Sequence, residues 1–265
     1  MEIVRNRWFR QPDKIFIPGD IHAPNHNKDA LNIAMEAAAY FGCNKTLGLG
    51  DWLDSCHISR HGMTRDSSFA QENEFVDEFS ANLFNYGMDP TAFIMGNHEA
   101  WYNQWSETNP GHTHKAALPD LYRHWDVLPD GSAIPINRRL VGCHGDSLNG
   151  STATSPAASV LKNYPAQSFV FGHNHRLDMA YQTRWTAEGR KVYGAFSVGT
   201  LADLAFETRK KALRLNSQRH NLGFACVTLF KDDYFDVQLG HIFEDGRNIR
   251  CLLAGKMHVA KLAHK

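Results

Sequence analysis

Five short stretches hold the residue types that could do chemistry together. They are Asp20-Ile21-His22, Gly50-Asp51-Trp52-Leu53-Asp54, Gly96-Asn97-His98-Glu99, His144-Gly145-Asp146 and Gly172-His173-Asn174-His175. Between them they supply carboxylate and amide oxygens and imidazole nitrogens, the donors that suit divalent transition metals. In an extended chain His173 and His175 would point the same way, since side chains alternate with period two. Both rings could then reach one metal site. Each stretch alone is weak, because a surface H-x-H pair or a turn aspartate is common. The chain also has 15 histidines, so chance pairs are expected. The weight comes from the order of all five and from what precedes each one.

Each stretch follows a short apolar run. Lys14–Ile17, Lys45–Leu49, Thr91–Met95, Arg139–Cys143 and Ser168–Phe171 read as buried strands stopped by Gly or Pro. Asp29–Phe41 is Ala-rich with Gly42 just past it, which predicts a helix. Gln71–Tyr86 places Phe75, Val76, Phe79, Leu83 and Tyr86 on one helical face, an aromatic stripe that reads as core packing. Ser155-Pro156 opens a third helix running to about Asn163. Strand, helix, strand is a parallel βαβ unit, and ligands gather at the carboxyl ends of such strands. That rule brings Asp20, His22, Asp51 and Asp54 to one edge. Cys143 alternates with His144 and so reads as a core thiol.

The rest of the chain is less regular. Residues 1–13 read as a leader strand or arm, and 55–70 as a polar loop or partial helix. Residues 100–130 are rich in aromatics and histidine. They predict either a binding loop or a packed excursion with one short helix. Met179–Trp185 with Lys191–Val198, and Gly223–Phe230 with Tyr234–Ile242, read as hairpins across Glu188-Gly189 and Asp232-Asp233. The basic stretch Glu207–Asn221 is a solvated face or a phosphate-contacting flap. The tail, Ala254–Lys265, is weakly amphipathic. With no linker in sight, a single domain over 1–265 is expected, with core motifs at 14–200, a C-terminal hairpin at 223–242 and the tail at 254–265.

The bulk numbers exclude some classes. Lys+Arg and Asp+Glu both number 28, so no global charge draws the chain to nucleic acid or membrane. Five scattered cysteines without a C-x-x-C pair point to a reducing, cytoplasmic compartment. No apolar run approaches 18 residues, so no membrane span is expected.

The order of the five motifs resembles the calcineurin-like metallophosphoesterases, in particular the small stand-alone members of phages and bacteria. The resemblance spans residues 19–175 in its motifs, and the later hairpins are similar to the family's second sheet. It implies an α/β fold of four layers, an αββα sandwich of two mixed β-sheets flanked by helices. It implies Asp20, His22 and His175 on one metal, Asn97, His144 and His173 on the other, and Asp51 bridging. His98 would sit beside the substrate as leaving-group acid, oriented by Asp54 and kept protonated by it near neutral pH. A metal-bridging hydroxide would be the nucleophile. Two divalent ions are implied, with Mn2+ the conventional choice and Fe, Zn, Co or Ni compatible with the same donors. Asp146 and Glu99 are read either as partners of the ligating imidazoles or as turn and cap carboxylates. His57, Arg60, His61 and the 100–125 loop are the candidate substrate contacts.

The expected function is hydrolysis of phosphate esters, with a lean to phosphodiesters in nucleotides or nucleic acid. His98, the aromatic loops and the basic 209–219 stretch motivate the lean. The protein Ser/Thr phosphatases of the family place Arg-Gly after G-D-x-x-D and a residue then Arg after G-N-H-E. Here Ser55-Cys56 and Ala100-Trp101-Tyr102 stand instead, which disfavours a phosphoprotein substrate. The alternatives are a phosphomonoesterase acting on a small molecule or phosphoprotein, and a non-catalytic, metal-stabilised binding protein. A mononuclear zinc hydrolase would leave Asn97 and the second imidazole set unexplained. The sequence leaves the oligomeric state open.

Overall fold

A computed structural model describes residues 1–55, 58, 69–109, 122–187, 189–205 and 219–263. In chain order the described strands are β1 (Glu2–Ile3), β2 (Lys14–Pro18), β3 (Lys45–Gly48), β4 (Asp89–Ile94), β5 (Asp126–Leu128), β6 (Ser132–Pro135) and β7 (Leu140–Cys143). They continue with β8 (Ser168–Phe171), β9 (Leu177–Thr186), β10 (Gly189–Val198), β11 (Gly223–Leu229), β12 (Phe235–Asp245), β13 (Asn248–Leu253) and β14 (Lys256–Lys261). The described α-helices are α1 (Lys28–Phe41), α2 (Phe69–Asn85), α3 (Asn97–Thr108) and α4 (Pro156–Asn163).

The strands form two mixed sheets. One has the order β1-β6-β7-β8-β10-β9, the other β14-β13-β12-β11-β2-β3-β4-β5. Strict alternation along each strand assigns its two faces. Ile15, Ile17, Leu47, Leu49 and Ile94 of the larger sheet pack with Ile134, Leu140, Val170, Phe196 and Val198 of the smaller one, and so fill the space between the sheets. Phe16, Phe93, Phe224 and Cys226 point the other way, into a cluster with Ala30, Ile33, Ala34 and Ala37 of α1 and Val76, Phe79 and Leu83 of α2. On the far side of the smaller sheet, Val141, Cys143, Phe169 and Phe171 pack on Ala157, Val160 and Leu161 of α4. These three clusters make the four layers that the motif order implied. Cys143 is the core thiol expected of it.

Where the structure departs from the sequence reading, local chemistry gives the reason. The two hairpins do not share a second sheet. β9–β10 extends the smaller sheet beside β8, and β11–β12 extends the larger one beside β2. The weakly amphipathic tail docks as a strand: Lys256–Lys261 pairs with β13 at the edge of the larger sheet. Glu207 to Asn221 falls mostly outside the described residues, but Arg219, His220 and Asn221 are described. The Ser155 side chain makes no cap bond to α4. The Ala157 N–H donates instead to Asp178 Oδ2 of β9 at 3.1 Å. No described helix is long and apolar enough to cross a membrane.

Candidate metal centre

The carboxyl ends of β2, β3 and β4 lie side by side in one sheet, and those of β7 and β8 lie side by side in the other. Loops leaving these ends carry the five motifs. Within each sheet the loops are tied by backbone bonds: Ile21 N and His22 N donate to Asp51 O at 2.9 and 3.0 Å, and Gly172 N donates to His144 O at 2.9 Å. The segment after β10 closes the third side. Thr200 Oγ1 and Leu201 N both donate to Asp20 O at 2.7 Å. Two motif glycines are explained by space. A Cβ at Gly96 would run into Asp51 Oδ1, and one at Gly172 into Asp20 Oδ1.

All seven expected ligands, with Asp54 and His98, converge. Asp20, His22 and His175 form one group with mutually close ligand atoms, and Asp51, His144 and His173 form another. His22 Nε2 and His175 Nε2 face each other at 3.0 Å, and His175 Nε2 is 3.3 Å from Asp20 Oδ2. Asn97 Oδ1 lies 3.1 Å from His144 Nε2 and 3.0 Å from His173 Nδ1, while Asp51 Oδ2 is 3.3 Å from His144 Nε2. His98 joins His22 and Asp51 in a third close group. Its ring is 4.6 Å from that of His22.

The tautomers follow from the partners. A carbonyl can only accept, so Nδ1 of His144, 2.6 Å from Leu49 O, must donate. Its Nε2 then faces Asn97 Oδ1 and Asp51 Oδ2, both acceptors, where a cation would take the place of the proton that Asp51 favours. The same logic makes His98 Nδ1 donate to the main-chain Asp54 O at 2.6 Å. Asp54 therefore orients His98 mainly through its backbone. Its carboxylate is farther from that nitrogen, at 3.8 Å, and nearer His22 Nδ1, at 3.4 Å. Asn25 Nδ2 donates to Asp54 Oδ2 at 2.8 Å and fixes it.

The charges fit a cation. Burial lowers His22. Burial, with the neighbouring His144, holds His173 down at about 4. Both rings are therefore neutral near pH 7 and offer lone pairs. Burial pushes Asp20 up to about 7, although the imidazoles of His175 and His144 oppose the rise. Burial acts against a charged His144, yet the Asp51 carboxylate raises it to about 10. Burial by itself would raise Asp51, but the His144 and His98 imidazoles hold it well below the usual carboxylate range. Asp20 Oδ2 is buried without a hydrogen-bond partner. Two imidazole nitrogens at 3.0 Å beside that oxygen repel unless a proton or cation lies among them. The donor set fits divalent metal ions on these observations.

The scaffold under the ligands was only partly visible in the sequence. Glu99 binds backbone N–H groups rather than an imidazole. Its Oε2 accepts from Asp51 N and Gly96 N, and its Oε1 from Trp52 N and Leu53 N, all at 2.9–3.0 Å. Gly96 and Glu99 thus form the entry of α3, and G-N-H-E opens a helix rather than a loop. The spacing of Glu99 three residues after the cap position was the available signal. His173 and His175 have φ of 71° and 58°, so they sit in left-handed turns and not on an extended strand. His22 and Asp51 are left-handed too, with φ of 56° and 52°. His220, whose ring is 4.8 Å from that of His175, lies outside the five motifs, and Asn174, inside the last of them, accepts through Oδ1 from Ser197 Oγ at 2.9 Å. Asp146 makes only a local bond to Ser147 N. His57, Arg60, His61, His112 and His114 lie outside the described residues.

Fold and site together define a two-sheet α/β protein with a carboxylate–imidazole cluster able to hold metal at its strand ends. The model described as Calcineurin-like phosphoesterase matches residues 13–177, and the chain belongs to that family. Members of this family usually bind divalent metals. No curated protein sequence matches the chain. Among solved structures, Vacuolar Protein Sorting 29 from Cryptosporidium parvum is 16% identical, over 94% of this chain and 96% of that one, with a TM-score of 0.43. Vps29 from Chaetomium thermophilum is 10% identical over 94% and 99%, with a TM-score of 0.44. The nuclease MPE from Pseudomonas putida is 12% identical over 94% and 87%, with a TM-score of 0.34. At these identities and scores none of the three assigns this chain an activity or a ligand.

Proposed function

We propose that the chain is a metal-dependent hydrolase of phosphate esters, working on phosphodiesters of nucleotides or nucleic acid. The carrying observation is the clustering of two ligand groups, Asp20/His22/His175 and Asp51/His144/His173, with Asn97 Oδ1 against both imidazoles of the second. Asp20, His22 and His175 would hold one divalent ion and Asn97, His144 and His173 the other, with Asp51 shared. Such a pair supplies positive charge to the phosphoryl oxygens and lowers the pKa of water.

The chain's own residues do the rest. His98, with Nδ1 committed to Asp54 O, can present Nε2 to a leaving oxygen when doubly protonated. Trp101 lies 4.4 Å from the His98 ring at 34°, which supports an aromatic or base-bearing group beside the scissile bond. Arg176 follows His175 directly, and Arg219 is near enough to add to the burial that lowers the Arg176 pKa. Their guanidiniums donate to Ala153 O and Thr154 Oγ1, and such groups would suit the equatorial oxygens of a phosphate.

The test is hydrolysis of bis-p-nitrophenyl phosphate and p-nitrophenyl phosphate with added Mn2+, together with metal counting. Turnover of the diester, about two ions per chain and a fall of roughly 100-fold or more on His98→Ala are expected. Bound metal without turnover of either ester would overturn the proposal in favour of a metal-stabilised binding protein. About one ion per chain would reject the dinuclear form.

A further inference from the structure

The two sheets have four edges, and three of them are guarded. β1 has two residues and β5 three, too short to template another strand. β14 carries a lysine at each end. The fourth edge, β9, is different. It is ten residues long, free of Pro, Gly and Lys, and paired with β10 in unbroken register from Leu177 to Thr186. No described strand pairs with its outer side. One face of β9 carries Met179, Tyr181 and Trp185, which are 57%, 60% and 82% exposed. Val192, opposite Thr183 on β10, widens that apolar stripe and is 61% exposed. The other face carries Asp178 and Arg184, six residues apart and opposite in charge. Arg184 Nε and Gln182 Oε1 on that face are buried without hydrogen-bond partners.

A long open edge with an apolar face normally needs a partner strand. We propose that the partner is β9 of a second copy of this chain, paired antiparallel about a two-fold axis at Tyr181. In that register the residue numbers of facing pairs sum to the same value. Asp178 then faces Arg184 of the second copy, and Arg184 faces Asp178 of the second copy. Met179 faces Thr183, Ala180 faces Gln182, Leu177 faces Trp185, and Tyr181 meets its own equivalent. Both charged pairs are of opposite sign, the arrangement that stabilises facing positions. The contact is isologous and closes at two copies. It joins the six-stranded sheets into one of twelve and doubles the apolar stripe. Among the described residues β9 makes no hydrogen bond to the motif loops, its first residue reaching only Asn221 Oδ1 at 3.4 Å, so the assembly is independent of the proposed chemistry.

The register makes a narrow test. Facing Cα atoms in an antiparallel pair are about 4.5–5.5 Å apart, within the range a disulfide spans. Tyr181→Cys, in a Cys56→Ser background, should therefore cross-link to its own equivalent under mild oxidation. Thr183→Cys should not, because its equivalent lies four positions along the strand, roughly 13 Å away. Sedimentation of the unmodified chain at tens of micromolar should give twice 29.9 kDa. Arg184→Asp, which sets like charges opposite each other, should return the mass to one copy with an unchanged circular dichroism spectrum. A single-copy mass for the unmodified chain overturns the proposal. So does a two-copy mass in which Tyr181→Cys fails to cross-link, or in which Thr183→Cys cross-links as well.

Discussion

Replacing Glu99 by Gln tests what holds the centre in shape. Both Glu99 oxygens are occupied by backbone donors: Trp52 N and Leu53 N on one, Asp51 N and Gly96 N on the other. Tyr122 OH approaches the first at 3.4 Å. That geometry leaves no place for a carboxyl proton, so the group accepts as an ion although burial, and next the Asp51 charge, raise its pKa. A glutamine keeps one oxygen and turns an NH2 toward two N–H groups. Two charge-assisted bonds are lost, each contributing roughly 1.5–3 kcal/mol. Relief of the buried charge beside Asp51 offsets part of the loss. The net destabilisation is about 3 kcal/mol, or roughly 6–10 °C in Tm for a chain of this size. Thermal unfolding followed by circular dichroism in excess Mn2+ measures it, and metal analysis after desalting reads the second effect. Asp51 keeps its left-handed φ of 52° partly because Glu99 holds its N–H, so bound metal should fall as well. A Glu99→Gln protein that melts within 1 °C of the parent with unchanged metal content would refute this account of the scaffold.

His173→Ala and His175→Ala should each lower the metal count from about two to about one, and the double variant should bring it near zero; a loss of both ions in either single variant would argue against separate sites. Glu72 gives a pH signature. Burial pushes its carboxyl from 4.5 up to about 8, so the folded state keeps a proton that the unfolded state releases. Its contribution to stability is full below pH 4.5 and is lost as pH rises through 8, by up to about 1.4 kcal/mol per pH unit. The stability of Glu72→Gln relative to the parent should therefore grow in urea unfolding from pH 5 to pH 8, and a flat difference would reject the assignment. Ser55 has a φ of 46°, and its Oγ is buried without a partner. Ser55→Gly keeps the N–H bond to Glu72 and should be neutral or stabilising by up to about 1 kcal/mol; destabilisation beyond that would mean the strain is not there.

The candidate ligands were legible because each follows a short apolar run, bounded by Gly or Pro, that reads as a strand. β2, β3, β4, β7 and β8 were readable for the same reason, α1 through its alanines and the Gly42 stop, and α2 through its periodicity. The missed strands, β5, β6, β13 and β14, are three to six residues long and mix polar with apolar positions, so their burial comes from neighbours distant in sequence. β5, for example, pairs with β4 across the whole of α3 and the residues after it. The division of the two hairpins between the sheets was also hidden, since period-two patterning names the face of a strand but not its neighbour. The role of Glu99 was half legible. Its spacing marks a helix start, but three of its four backbone donors belong to a loop more than forty residues earlier.

Conformation at the ligands was the least legible feature, and it shows how the centre is built. His22, Asp51, His173 and His175 are all left-handed, a region that costs a non-glycine residue on the order of 1–3 kcal/mol when it is imposed. Local bonds such as Asn25 N to His22 O at 2.8 Å and Asn174 N to Gly172 O at 2.9 Å offset part of that cost, and further ties come from elsewhere. His22 N is held by Asp51 O, Asp51 N by Glu99, and His175 O by Asn221 N at 2.8 Å. Asn221 O in turn accepts from Thr200 N at 3.0 Å, and the Thr200 hydroxyl closes the ring on Asp20 O. The ligand orientations thus depend on Glu99, Thr200 and Asn221, which lie outside the ligand set. Tertiary bonds hold that strain, so the fold contributes to the orientation of rings that would hold a metal. A motif can place a donor at a strand end, but the direction of its lone pair is decided by partners that the motif does not contain.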